Sequence, residues 1–193
     1  GVPPERIVLH GNNKSVDELR RAHELGIRVV VDSFDELARL EAVHKESGEP
    51  TRVMVRVTPG VEAHTHEYVM TGQTDSKFGL GVASGEAARA VEHCQVHPAF
   101  DLVGVHAHIG SQIFLLRSFE KAIEILAGVV EPLGVEELCL GGGLGVPYVE
   151  GEEAPTITEW ATVLHAACSS AGITARITVE PGRAIAAAAG LTL

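Results

Sequence analysis

The sequence has 193 residues, which is long enough for one globular domain with a sizeable hydrophobic core. Its formal net charge of -11 and its aromatic content of 4% argue against binding to nucleic acid, which requires clustered basic groups and often stacking rings. No apolar run reaches the roughly 18 residues that predict a membrane-spanning helix. The 3 cysteines follow no metal-binding spacing, so we expect a reducing, cytoplasmic environment.

Short apolar runs alternate with helical patterns along the chain. Strands are predicted at 6–11, 27–31, 52–57, 102–108, 138–140 and 176–179, and a further strand is predicted to begin at 191. Helices are predicted to follow two capping spacings, Ser15 with Glu18 and Ser33 with Glu36, and then to begin at 84, 114 and 157. Strands that alternate with helices predict βαβ units and a mainly parallel sheet.

Polar residues follow most of the predicted strands at their carboxyl ends. They include Asn12, Asn13, Asp32, Arg56, His108, the glycines from 141 to 143, and Glu180. A TIM barrel carries its chemistry on this rim, whereas an open doubly wound sheet concentrates it at one switch point. We therefore expect an α/β fold of the TIM (β/α)8 barrel type, incomplete because the first strands are missing, with residues 1–193 forming one partial barrel domain.

His106 and His108 lie two residues apart on a predicted strand, so their side chains face the same way. They could form a metal-binding pair, His108 could pack its imidazole on a flat cofactor ring, or both could simply be hydrogen-bonded. A metal site would need a further carboxylate or histidine. His64 and His66 repeat the pattern in a predicted loop. A metal-dependent TIM-barrel hydrolase that uses these pairs therefore stays open as an alternative.

Two other strand ends carry groups that could hold an anion. The backbone N–H groups of Gly141–Gly143 could cradle a phosphate, and Ser111 adds a hydroxyl after another strand. Pro181 ends the last secure strand directly after Glu180, whose carboxylate could hold a proton on a pyridine nitrogen. Arg183 could bind a carboxylate or phosphate through two N–H groups, or it could form an ordinary surface pair with Glu180.

Six stretches of the sequence carry a resemblance to a known family. They are HGNNKS (10–15), RVTPGVEAHTHEY (56–68), SKFGL (76–80), HAHIGSQI (106–113), GGGLG (141–145) and EPGRA (180–184). In this order they resemble the diaminopimelate decarboxylases, which are fold-type III pyridoxal-phosphate enzymes like alanine racemase. The resemblance implies an alanine racemase-like barrel and pyridoxal 5'-phosphate as cofactor. It implies that the intact protein, a homodimer, converts meso-2,6-diaminopimelate to L-lysine and CO2, the last step of lysine biosynthesis.

The resemblance also implies roles for individual residues. His108 would stack on the face of the cofactor ring, and Glu180 would pair with the pyridine nitrogen. The phosphate site would be formed by Ser111, by Gly141, Gly142 and Gly143, and by the segment Glu180, Pro181, Gly182 and Arg183. Arg183 would also reach the substrate carboxylate, and Arg56 would lie near the cofactor. A carboxylate at the ring nitrogen favours a decarboxylase over a racemase, because a protonated ring takes up the electrons that CO2 leaves behind.

The sequence departs from the family's pattern in three respects. The family's Schiff-base lysine lies in a segment upstream of Gly1, so no catalytic residue is expected in this chain and this portion alone is expected to be inactive. The family's C-terminal β-domain, which supplies a cysteine and a tyrosine, is expected to lie outside these residues. Leu115 stands where the family often has an aspartate, in a loop that touches substrate in relatives. A non-catalytic pyridoxal-phosphate-binding barrel protein is the other alternative.

Overall fold

The structure is a computed structural model that describes residues 1–61 and 78–190. Its strands are β1 Val8–Leu9, β2 Arg28–Val31, β3 Thr51–Thr58, β4 Leu80–Gly81, β5 Phe100–Ala107, β6 Glu137–Cys139 and β7 Arg176–Thr178. Its helices are α1 Val16–Leu25, α2 Phe34–Ser47, α3 Glu86–Val96, α4 Arg117–Leu133, α5 Ile157–Ser170 and α6 Gly182–Ala186, with short 3-10 turns at Pro4–Arg6 and Ala187–Ala189. No helix in these ranges is long and apolar enough to cross a membrane.

The sheet follows the winding of a barrel. Every pairing between described strands is parallel, and the strands lie in the order β1-β2-β3-β5-β6-β7, while β4 pairs with the last two residues of β3. Neighbours in the sheet thus follow one another along the chain, without the reversal that marks a doubly wound sheet. The prediction of a partial alanine racemase-like TIM barrel is confirmed. The strand predicted from 191, like His64 and His66, lies outside the described residues.

Two contacts across the barrel show how strongly this sheet curls. His10, directly after β1, lies 3.2 Å from Glu180, two residues beyond the end of β7, so the two ends of the strand path meet at the carboxyl rim. At the opposite end of the strands, Arg28 of β2 pairs with Glu137 of β6 at 3.0 Å. The Glu137 carboxylate also pairs with Arg176 of β7. The sheet therefore encloses an interior, and polar and charged side chains from different strands contact one another within it.

Alternate residues of each strand face the helices or this interior. In β3, Val53, Val55 and Val57 join the large core beneath the helices, whereas Met54 joins a small interior cluster with Val30, Val103 and Cys139. Arg56 is two residues beyond Met54 and shares its inward side. Because side chains alternate along a strand, polar residues near the carboxyl ends of the strands face inward. The apolar residues between them pack against the helices.

The turn after β1 is held by a buried lysine. Ser33 caps α2 as predicted, but Glu36 does not complete the second capping box. Its buried carboxylate instead lies 2.8 Å from the Nζ of Lys14, because both side chains are enclosed between α2 and the turn. The Lys14 ammonium also donates to the carbonyls of Gly11 at 2.6 Å and Val30 at 2.8 Å. Lys14 therefore ties the segment that carries His10 to β2 and α2.

A single added methyl group at Gly104 should destabilise the sheet. Gly104 lies beside a bulge in β5, and a Cβ there would overlap the backbone carbonyl oxygen of Glu137 in β6. We expect Gly104→Ala to lower the free energy of unfolding by about 1–3 kcal/mol, measured from urea denaturation midpoints. Gly128→Ala is the matched control, since Gly128 is exposed in α4 with free space around it. The control should be neutral or stabilising by about 0.5–1 kcal/mol. Equal midpoints for Gly104→Ala and the unmodified protein would contradict this account.

Candidate functional site

A cleft of about 310 Å³ opens at the carboxyl ends of β3 and β5. One wall carries Arg56, Thr58 and Phe78, and the other carries His108 and Ser111. These residues come from the ends of two neighbouring parallel strands and from the turn before β4. The sequence prediction of a site on this rim is consistent with the position of the cleft.

Beside the cleft, one carboxylate is shared by two histidines. Oε1 of Glu180 lies 3.2 Å from Nε2 of His10, and Oε2 lies 3.2 Å from Nε2 of His106. The two imidazole rings meet edge to face with centroids 5.0 Å apart. His106 lies in β5, whereas His10 follows β1 and Glu180 follows β7, so the cluster joins three separate parts of the barrel. Sequence reasoning assigned His10 no role, although its place directly after the first apolar run was the available signal.

The charge of Glu180 is set by these neighbours. Burial alone would raise its pKa, but the hydrogen bonds from His10 and His106 outweigh burial and hold the pKa well below the ordinary value for a carboxyl group. Burial lowers the pKa of His106 despite the contact with Glu180, so this imidazole is neutral and donates its Nε2–H. Burial and the nearby Glu180 raise the pKa of the Cys139 thiol to about 11. Glu180 is therefore an anion beside a neutral His106 and a protonated Cys139 thiol.

The three consecutive glycines allow the ends of β5, β6 and β7 to pack closely. A Cβ at Gly141 would overlap the carbonyl oxygen of Ala107, one at Gly142 that of Glu180, and one at Gly143 that of Gly110. Gly141 and Gly143 have φ angles of 67° and 99°, which favour glycine. The Gly142 N–H donates to Nδ1 of His108 at 3.3 Å. The glycine run thus fixes the imidazole that the sequence predicted to face a cofactor ring.

Arg183 does not pair with Glu180, the alternative that the sequence left open. Its Nη2 donates to Oγ of Ser111 at 2.9 Å, and its Nη1 donates to the hydroxyl of Tyr148. The guanidinium also lies over the Tyr148 ring, 5.7 Å from its centroid. Pro181 and Gly182 carry the chain from Glu180 into α6, which begins at Gly182. A cation and a hydroxyl therefore meet on the rim, as an anion site requires.

Arg56 is held at the cleft wall by an aspartate that sequence analysis noted only as a polar strand end. The guanidinium pairs with Asp32 at 3.1 Å and lies over the ring of Phe78, 4.7 Å from its centroid. The other carboxylate oxygen of Asp32 accepts the N–H of Gly79 at 3.1 Å. Arg56 is therefore oriented by groups from β2 and from the turn before β4.

The two histidines of the 106–108 pair have different partners. His106 donates to Glu180, whereas His108 accepts from Gly142. In the described ranges, the group of possible metal ligands is His10, His106 and Glu180, whose ligand atoms lie within 4.8 Å of one another. Each oxygen of Glu180 already accepts an imidazole N–H, so this group is satisfied by its own hydrogen bonds. Among the described residues, His108 is therefore not part of the candidate group of metal ligands that contains His106.

Gln112 locks the loop that carries Ser111 to the loop after the glycine run. Its Nε2 donates to the carbonyl of Val146 at 2.7 Å, and its Oε1 accepts the Val146 N–H at 3.1 Å. Its φ of 58° lies in the left-handed region, which costs a non-glycine residue about 1 kcal/mol. The neighbouring Ile113 extends the link through its N–H, which donates to the carbonyl of Gly143 at 2.8 Å. Sequence reasoning quoted Gln112 within a motif without giving it a role.

The chain is similar to known proteins along nearly its whole length. Residues 1–187 match the family described as "Pyridoxal-dependent decarboxylase, pyridoxal binding domain". Diaminopimelate decarboxylase of Mycobacterium bovis is 46% identical over 207 residues, which cover 99% of this chain and 46% of the relative. Diaminopimelate decarboxylase of Bacillus subtilis is 43% identical over 206 residues, which cover 100% of this chain and 47% of the relative. The chain therefore spans about half the length of the curated relatives it matches.

Solved structures also match the chain along nearly its whole length. A mutant diaminopimelate decarboxylase from Helicobacter pylori, complexed with L-lysine, matches with a TM-score of 0.87 at 33% identity, over 96% of this chain and 47% of that one. The arginine decarboxylase of Paramecium bursaria Chlorella virus matches with a TM-score of 0.70 at 21% identity, over 95% of this chain and 47% of that one. The second likeness is one of fold alone.

Substitutions at Gln112 should separate backbone strain from the two lost side-chain hydrogen bonds. Gln112→Gly removes the bonds to Val146 but suits the left-handed backbone, whereas Gln112→Ala removes the bonds and keeps the strain. We expect both variants to be less stable than the unmodified protein, with the alanine variant below the glycine variant by about 1 kcal/mol in urea unfolding. Equal stability of the two variants would show that the left-handed conformation is not retained.

Proposed function

Because the chain belongs to the pyridoxal-dependent decarboxylases, we propose that the protein containing it converts meso-2,6-diaminopimelate to L-lysine and CO2 with pyridoxal 5'-phosphate. The observation that carries the proposal is the ionised Glu180, held by two histidines beside a cleft that also presents His108 and Ser111. The identity of 46% to a diaminopimelate decarboxylase supports this substrate over those of other family members. We further propose a cytoplasmic homodimer in which residues 1–193 belong to one cofactor-binding barrel domain.

The residues at the rim fit the chemical groups of this cofactor. A pyridine ring needs an acid partner at its nitrogen, a flat surface against its face, and an anion site for its phosphate. Glu180 would take the ring nitrogen, and His108, whose imidazole is held by Gly142, would face the ring. Ser111, Arg183 and the glycine run from 141 to 143 would hold the phosphate. The contact between Arg183 and Ser111 supports this phosphate role for Arg183.

The bound cofactor supplies a conjugated ring that takes up the electron pair left at carbon when CO2 departs. Glu180 would keep a proton on the ring nitrogen, because a carboxylate with a lowered pKa is ionised at neutral pH and stabilises a cation beside it. Packing of His108 would exclude water from one face of the ring. The guanidinium of Arg56, fixed by Asp32, would add positive charge at the cleft wall, where the carboxylates of the substrate could bind.

Neutralising Glu180 should remove most of the activity. In the intact protein loaded with pyridoxal phosphate, we expect Glu180→Gln to lower the rate of lysine formation by about 10²-fold or more, because an amide cannot hold the ring proton by charge. Glu92→Gln is the matched control, since Glu92 is an exposed residue of α3. Lysine and CO2 from meso-diaminopimelate would be quantified together.

The same assay decides between the proposal and its alternatives. Cofactor binding without lysine formation would indicate the non-catalytic barrel protein. Activity that is lost with chelator and restored by a divalent metal would indicate the hydrolase. Unchanged activity of Glu180→Gln would contradict the role given to that carboxylate.

Removal of the Ser111 hydroxyl should weaken binding of the phosphate specifically. We expect Ser111→Ala to reduce affinity for pyridoxal phosphate about tenfold while affinity for pyridoxal, which lacks the phosphate, stays unchanged. Absorbance titration of the intact apoprotein with each compound measures both affinities. Ser170→Ala, at the exposed end of α5, is the control. An equal loss for both compounds would contradict a phosphate contact.

A further inference from the structure

We propose that His10 is a positioning residue that, together with His106, fixes the plane of the Glu180 carboxylate toward the cofactor's ring nitrogen. The inference rests on the proposed function for the identity of the group that Glu180 contacts. The geometry of the three side chains is independent of that function. His10 stands outside the set of residues that the sequence assigned to the site.

Hydrogen bonds on both oxygens restrict the orientation of the Glu180 carboxylate. A carboxylate with one hydrogen-bonded oxygen can still rotate about its terminal torsion, which is a broad and soft one. Glu180 has a donor on each oxygen, His10 on Oε1 and His106 on Oε2, both at 3.2 Å. Two donors from different strands define the plane of the group, and each oxygen retains a lone pair for a further donor.

The first donor, His106, is held in place by the sheet. His106 lies within β5, and its side chain is only 3% exposed, so its ring cannot move without disturbing the sheet. Its Nδ1 is buried with no hydrogen-bond partner in the described structure, so the proton of the neutral ring belongs on Nε2, facing Glu180. The barrel therefore provides one fixed donor, and the second must come from the other side of the carboxylate.

His10 provides that second donor from a turn that is itself held in place. β1 has only two residues, which would leave its end poorly fixed, but Lys14 ties the following turn to β2 and α2 through buried contacts. The edge-to-face contact with His106 limits rotation of the His10 ring. His10 is thus held in position to donate a hydrogen bond, although its side chain is 37% exposed.

The test uses the intact protein loaded with pyridoxal phosphate carrying 15N at the ring nitrogen. The 15N chemical shift reports whether that nitrogen is protonated, and it does so without turnover. We expect His10→Phe, which keeps a ring but has no donor, to move the shift toward that of unprotonated pyridine and to lower kcat about tenfold with little change in KM. In His10→Gln, the side-chain amide N–H can lie near the position of the His10 Nε2. This variant should restore most of the 15N chemical shift and most of kcat.

Controls separate this inference from the proposed function. His165→Phe, on the exposed side of α5, should change neither the 15N chemical shift nor kcat. If Glu180→Gln shifts the nitrogen signal but His10→Phe leaves both signals unchanged, the positioning role is wrong and the proposed function stands. If Glu180→Gln also changes nothing, the role of Glu180 at the ring nitrogen is wrong as well, and the proposed function itself fails only if the unmodified protein forms no lysine. Should His10→Phe fail to fold, His10→Asn, whose amide is too short to reach Glu180, gives the same comparison against His10→Gln.

Discussion

One carboxylate shared by two imidazoles organises the carboxyl end of this barrel. Glu180 follows β7, His106 lies in β5 and His10 follows β1, so their contacts join the two ends of the described strand path and its middle. These contacts require a strongly curled sheet, because a flat parallel sheet would hold its outer strands far apart. The glycine run packs against the backbone of Glu180, and the cleft, which contains His108, opens near this junction.

Charged side chains also pair at two other places in the curled sheet. Glu137 receives Arg28 and Arg176 at the opposite end of the strands, and Lys14 pairs with Glu36 beneath the turn that carries His10. Each of these carboxylates is almost fully enclosed, so loss of its partner would leave a buried charge, which is far more costly than loss of an exposed pair. These pairs connect strands and helices that are distant in sequence, so an arrangement that separates the partners would leave buried charges unpaired.

Much of the fold and part of the site followed from local sequence signals. The alternation of strands and helices, the capping box at Ser15, and the polar residues at strand ends indicated a barrel with its chemistry on one rim. The motifs around His108 and Glu180 indicated the family. These features depend on a few neighbouring residues and on the period of two, so they can be identified along the chain. The role of Gln112, which depends on a distant loop, could not.

The sequence by itself thus determined most of the elements, but not β4 or α6, as well as their alternation and the rim on which the candidate groups lie. The tertiary structure decided which groups meet: Glu36 with Lys14 rather than with its own helix cap, Arg183 with Ser111 rather than with Glu180, and Glu180 with His10. Spacing along a strand fixes the side to which a residue points, but not its partner across the barrel. That partner depends on the curl of the whole sheet, which arises from the packing of all its strands and helices together.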